Sequence, residues 1–383
     1  MHSALCGRLG CAVPIFAFSH CRDVVVEVTK AGGFGVLGAS TFGPELLEQE
    51  LTWIDRHVDG RPYGVDVLIP STYDKEAEAA GLSSNLRDLV PDTHRQFMEG
   101  ILAEAGVPAL PPDEQARVVR EISEGRGNMT PDGARRLLEV ALRHPAVRLV
   151  VSALGAPPPD VVDTLRGAGV MIGALCGKPS HAVRQRAAGV ELIIAQGTEA
   201  GGHTGAISTL VLVPDVVEAC PGIPVLAAGG ITRGSQVAAA LALGAEGVWC
   251  GTIWLGTRES ELTPFEKEVL FAARPEDAVR SKVRTGKTVR MVRSRMSEAW
   301  EKPGAPPYLP TPLQGILYNE VHARVVRAQR KELYSFPAGQ SVGALREETT
   351  VREVMMRMQT EYLDAMERLS RFNPEAEQNG VTG

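Results

Sequence analysis

The chain lacks a dense Lys/Arg run, a C-x-x-C pair and any apolar stretch approaching the roughly 20 residues that span a bilayer. Each absence closes a class. Without a basic patch there is no electrostatic footprint for nucleic acid, and 40 Lys+Arg against 46 Asp+Glu leave a formal charge of −6. Without paired cysteine spacing a zinc centre has no support, and no other metal site is expected. The six cysteines read as reduced thiols, since a chain of 383 residues that is 44% hydrophobic can bury a large core without disulfides. The fairly apolar Leu9–Phe18 segment follows Arg8, but it contains Pro14 and no convincing small-residue cleavage site. The expected location is therefore the cytoplasm, with no membrane contact.

What the chain has is a repeated alternation of short apolar runs and helical patterns. Val13–Phe18, Phe34–Leu37, Tyr63–Ile69, Val147–Leu154, Val170–Leu175, Glu191–Ala195, Pro224–Ala227 and Gly247–Cys250 read as eight strands, separated by helix-like segments. Near-continuous apolar strands between helices indicate a parallel sheet covered by helices, and eight units favour a closed TIM (β/α)8 barrel. The expected barrel covers 10–275, with a mainly helical insertion at 71–145 after strand three. A partly helical extension at 276–383 is expected to pack on the barrel or on a partner subunit in a homo-oligomer. Within it Val354, Met355, Met358, Tyr362 and Met366 form a stripe at helical spacing, which reads as packing rather than as a cofactor contact.

Gly33-Phe-Gly-Val-Leu-Gly38 fits G-x-G-x-x-G, yet it follows a helix and is itself the second strand. A dinucleotide fingerprint instead follows a strand and opens a helix, so this run reads as close packing. A more informative stretch is Gln196-Gly-Thr-Glu-Ala-Gly-Gly-His203-Thr-Gly, a glycine-dense loop after strand six. Glycines let a backbone approach a flat ligand, and histidine changes charge near neutral pH. Alone it is equally a Gly-rich turn. Its position matters because Ala228-Gly229-Gly230-Ile231 and Cys250-Gly251-Thr252 follow strands seven and eight, where barrels of this class commonly bind phosphate. Gln196, Gly201 and Gly202 would then flank a ring system extending from that phosphate. FMN fits the span. Asp66 and Ser152, at the ends of strands three and four, can reach the same cavity or serve as ordinary structural residues.

These loops together resemble the nitronate monooxygenase family, over roughly residues 10–260. The phosphate loops are shared by many barrels, whereas Glu199-Ala-Gly-Gly-His203 is sharper. The resemblance implies non-covalent FMN and oxidation of alkyl nitronates, and of nitroalkanes in some cases, by dioxygen to carbonyl compounds and nitrite. His203 matches the family's catalytic histidine, acting as a base or, when protonated, as an anion stabiliser. The family's first-strand loop usually reads Ala-Pro-Met-Ala-Gly. Here Pro14-Ile-Phe-Ala17-Phe18-Ser-His20 replaces it, putting Ala17 and Phe18 at the flavin's edge and making His20 a second candidate beside a plain hydrogen-bonding role. Two alternatives remain: an FMN-dependent enoyl-acyl-carrier-protein reductase using NAD(P)H, and a non-catalytic FMN- or phosphate-binding barrel.

Overall fold

In a computed structural model, residues 1–69, 86–127 and 130–372 are described. The first part of the 71–145 segment and the end of the extension therefore lie outside the described residues. Eight parallel strands close into a barrel: β1 (Ile15–Ser19), β2 (Phe34–Gly38), β3 (Tyr63–Val67), β4 (Val147–Ser152), β5 (Met171–Cys176), β6 (Leu192–Gln196), β8 (Val225–Ala228) and β9 (Gly247–Cys250). Pairing of Ile15 with Val248 seals the ring. β7 (Gly202–His203) stands outside it. The TIM barrel expected from the alternation is the fold.

Side-chain alternation along each strand sorts the apolar residues into two sets. Phe16, Phe34, Val36, Leu149, Val151, Leu192, Ile194, Leu226 and Trp249 fill the lumen, and Leu5, Cys6 and Leu9 of α1 (Ala4–Leu9) pack with them. Val65, Val67, Val150 and Ala174 face the helices. Both sets are buried, which explains why the strands read as continuous apolar runs. The glycine-rich run around β2 is packing: a Cβ at Gly35 would lie 2.3 Å from the Val25 carbonyl oxygen, so only glycine lets α2 (Arg22–Lys30) approach the strand.

Between β3 and β4 run α4 (Asp92–Glu104), α5 (Pro112–Gly127) and α6 (Pro131–Ala141). Helix α6 lies on α3 (Pro44–His57), as a barrel helix should, while α4 and α5 contact α13 (Leu313–Arg327) of the C-terminal extension. Arg87 pairs with Glu320 through two bonds of 2.7 and 3.0 Å, and His94 Nε2 donates to the Pro307 carbonyl at 2.8 Å. Segments distant in sequence thus form one wall.

Two further features bring the extension onto the barrel. β10 (Ala278–Ser281) and β11 (Val289–Val292) form an antiparallel sheet with β7, pairing Val289 with His203. Helix α14 (Val351–Ser370) crosses α10 (Gly234–Ala242) so closely that a Cβ at Gly234 would sit 1.9 Å from the Met358 carbonyl oxygen. Thr350 and Glu353 form a reciprocal capping box that starts α14. Val354, Met355 and Met358 are fully buried against the barrel helices and Tyr362 is half-buried, whereas Met366 is exposed.

Candidate active site at the barrel mouth

The strand ends gather most of the expected residues at one opening. On β3, Asp66 takes the lumen phase beside Val151 and is only 4% exposed, yet its carboxyl has no hydrogen-bond partner among the described residues. Desolvation alone raises its pKa well above the usual carboxylate value, favouring a neutral carboxyl that can donate as well as accept. Gln196, at the end of β6 and in phase with lumen residues Leu192 and Ile194, likewise has no side-chain partner. Buried polar groups are almost always satisfied, so the unpaired Asp66 carboxyl beside the half-buried, unpaired Gln196 amide marks the mouth as a place for a polar ligand.

The loop after β8 supplies donors. Gly229 and Gly230 have φ of +111° and +74°, conformations that turn successive backbone groups towards the mouth. Among the described residues, the Gly229, Gly230 and Ile231 N–H groups have no acceptor. This sharpens the sequence reading. The first turn of α10 is already occupied: Gly234 N–H donates to Glu361 at 2.8 Å, and Thr232 N–H donates to Gln236 at 2.8 Å. The N–H groups without an acceptor therefore lie on the Gly229–Ile231 turn rather than at the helix end. Across from it, Thr252 Oγ1 accepts from Gly339 N–H at 2.9 Å, which leaves its own proton available. Gly251 beside it has no atom within 3.8 Å of a hypothetical Cβ, so space for a ligand is open there.

The opening loop itself is held from both sides. Glu199 accepts from Thr209 N–H at 2.9 Å and from its hydroxyl at 2.8 Å, tying the loop to α9 (Thr209–Ala219). Arg290, buried on β11, donates Nε to the Thr198 carbonyl at 2.6 Å and a second nitrogen to the Ala278 carbonyl. Gly201 lies against Ala338 and Gly339, its hypothetical Cβ 2.8 Å from the Ala338 carbonyl carbon. Arg290 and Gly339 escaped the sequence reading, as did the tie of Glu199 to Thr209. No local pattern marks these contacts, because they join residues 10 to 138 positions apart.

His203 ends up at the rim, exposed yet surrounded closely enough that desolvation lowers its pKa. The positive charges of Lys287 and Arg284 push the same way. Its Nδ1 donates to the Thr288 carbonyl at 3.1 Å, so the proton of the neutral ring sits on Nδ1 and Nε2 presents a lone pair. His20 is fixed differently: Nδ1 donates to the Gly38 carbonyl at 2.7 Å, with the ring edge-on to Phe18 at 5.2 Å. Phe18 in turn stacks on Trp249 at 6.0 Å, within the lumen set.

Two expected residues are not brought in. Alternation places Ala17 and Ser152 with the outward set, paired with Gly35 and Val67. Ala17 offers only backbone to the mouth, and among the described residues the buried Ser152 hydroxyl has no partner. Strand phase, which a one-residue uncertainty in the strand start reverses, decided this.

Comparison with known proteins now bears on the site. The nitronate monooxygenase family model matches residues 18–361. The chain belongs to this family. Along 376 residues it is 47% identical to the Mycobacterium tuberculosis protein Rv1533, classed by name as a monooxygenase, covering 96% of this chain and 98% of that one. A Staphylococcus aureus protein named as a nitronate monooxygenase is 27% identical, with 83% and 84% covered. Among solved structures, a nitroalkane oxidase from Streptomyces ansochromogenes superposes with a TM-score of 0.77 at 28% identity, over 96% of this chain and 100% of that one. FabK from Thermotoga maritima gives 0.71 at 23% identity, over 97% and 99%, and shares the fold. As a nitronate monooxygenase family member the protein is an oxidoreductase. Among the described residues no helix is long and apolar enough to cross a membrane, and no cluster of metal-ligating side chains occurs.

Proposed function

We propose that the protein uses FMN to oxidise alkyl nitronates, and neutral nitroalkanes, with dioxygen, giving a carbonyl compound and nitrite. The observation that carries this reading is the state of His203: with Nδ1 committed to Thr288 and its pKa lowered, Nε2 is a neutral acceptor at the rim of a polar mouth. The residues present fit FMN. The free N–H groups of Gly229, Gly230 and Ile231, with Gly251 and the Thr252 hydroxyl, suit its phosphate, while Asp66 and Gln196 offer unpaired polar groups to its ring. Gly201, Gly202, Phe18 and the Ala17 backbone would line the space between. FMN, when bound, would supply the two-electron redox chemistry for which dioxygen is the oxidant.

The chain's own residues do the rest. Nε2 of His203 takes the acidic α-proton of a neutral nitroalkane, a step for which a neutral imidazole is the right form. The closed floor of Phe16, Phe34 and Trp249 keeps bulk water from entering through the barrel. Between base and cation, the two roles open to the histidine, the geometry favours the base.

Anaerobic absorbance spectra of the FMN-saturated protein test this reading. Bleaching by propyl-1-nitronate, with colour restored by air and nitrite released, is the expected result. Bleaching by NADPH or NADH alone would point to the reductase, and flavin binding without bleaching to a non-catalytic barrel. Failure to bind FMN at all would refute the proposal.

A further inference from the structure

If His203 is the neutral base, a nitronate anion needs its positive partner elsewhere. The connection between β10 and β11 carries one. Arg284 stands four residues before Thr288, the residue that anchors His203, and its charge reaches the histidine. Among the described residues its Nη1 is buried without a hydrogen-bond partner and no ion pair involves it. A buried guanidinium nitrogen left unpaired is costly, because the charge loses water and gains no acceptor.

What surrounds Arg284 holds it without neutralising it. Its guanidinium carbon lies 5.3 Å from the ring centroid of Tyr318, within cation–π range. Tyr318 stacks on His322 at 5.4 Å, and His322 on Tyr334 at 5.3 Å, giving a column of rings on α13 and the segment after it. His322 brings no second positive charge beside it: burial and Arg284 itself lower its pKa to about 3, so it is neutral, and its Nδ1 also lacks a partner among the described residues. Glu266, at the other end of the column, is taken by the Tyr334 hydroxyl and by Thr263. The rings thus hold a cation with one guanidinium nitrogen left without a partner among the described residues.

We propose that Arg284 is the anion-binding residue of this site, pairing with the oxygens of a bound nitronate and setting the preference for the anion over the neutral nitroalkane. The inference rests on the functional reading above. It assigns charge recognition to the C-terminal extension and proton transfer to the barrel loop, so each part of the fold carries one task. A planar guanidinium meeting two nitronate oxygens makes paired, charge-assisted bonds that a neutral nitro group engages far more weakly.

Arg284→Gln and Arg284→Lys test it in the FMN-saturated enzyme, with propyl-1-nitronate and 1-nitropropane compared under the same conditions. Hydrogen bonds to a charged group contribute about 1.5–3 kcal/mol, or roughly 10- to 150-fold. The Gln variant should lose about that factor in kcat/KM for the nitronate and less than about threefold for the nitroalkane. Lys should restore part of it. Nitrate, a planar oxyanion probe, should bind the wild type in calorimetry at least about tenfold more tightly than Arg284→Gln, and the Gln variant should melt no lower, since an unpaired buried charge has been removed. Equal losses for both substrates with a lowered melting temperature would make Arg284 structural and overturn the proposal. So would unchanged nitronate kinetics with unchanged nitrate binding. A wild type that turns over no nitronate refutes the functional reading instead, and nitrate binding that depends on Arg284 would still support an anion site.

Discussion

Replacing Gly229 by alanine separates a ligand-cradling turn from an ordinary glycine loop. At φ +111° an alanine is strained, and its Cβ would lie 2.8 Å from Thr209 Oγ1 and 3.1 Å from the Ala200 nitrogen. Backbone strain of this kind costs about 1–3 kcal/mol, and forcing an extra methyl into packed surroundings about 1–3 more. The neighbour cannot give easily, because Thr209 is bound to Glu199 and to the Gly229 carbonyl. Gly222→Ala supplies the control: φ is +81°, but nothing lies within 4 Å of its Cβ, so only strain of about 1–2 kcal/mol applies. Two assays read the pair, urea unfolding of the apoprotein and quenching of FMN fluorescence on titration. Gly229→Ala should lose about 2–6 kcal/mol in total. Part appears as lost stability and part as FMN affinity weakened at least about tenfold, because relief of the clash moves the free N–H groups of the turn. Gly222→Ala should lose stability alone. Wild-type FMN affinity in Gly229→Ala would refute the assignment of this turn to the cofactor.

Other outcomes follow from the same site. His203→Asn should lower kcat/KM for neutral nitroalkanes about 10²- to 10⁴-fold; in the wild type the acid limb of that profile should fall below 6.5, since burial makes the imidazole harder to protonate, and a limb above 6.5 would contradict it. Asp66→Asn should weaken FMN binding and change the pH dependence of stability. Because burial raises the folded pKa of Asp66, the folded state keeps a proton that the unfolded state releases above about pH 4, so wild-type stability falls as pH rises through that window. The Asn variant lacks this slope, and a difference between the two proteins that stays constant from pH 4 to 8 in urea unfolding would refute a raised pKa. Arg290→Met should cost about 1–3 kcal/mol by leaving the Thr198 and Ala278 carbonyls without their donor. It should also raise KM by loosening the loop of His203, which steady-state kinetics would detect.

How far the sequence carried is clearest from individual residues. The eight strands were legible because each is buried on both faces, so apolar runs such as Leu192–Ala195 stand out between helical patterns. Strand order then followed from barrel closure. The positions of Asp66 and Gln196 at strand ends were legible for the same reason, but Ser152 was not: its phase depends on the register of β3 with β4, which shifts between Tyr63 and Gly64. The occupied first turn of α10 was equally invisible, since Glu361 comes from a helix 127 residues away.

The loop from Gln196 to Gly205 shows the division most sharply. By itself the sequence determined that a histidine sits among glycines after the sixth strand, because backbone freedom and side-chain chemistry are local properties. Which nitrogen carries the proton, which way the pKa moves and whether a cation stands nearby were decided only when β11 paired with β7. That pairing brings Thr288 and Arg284 to His203 across more than eighty residues, a long-range contact that no local pattern encodes.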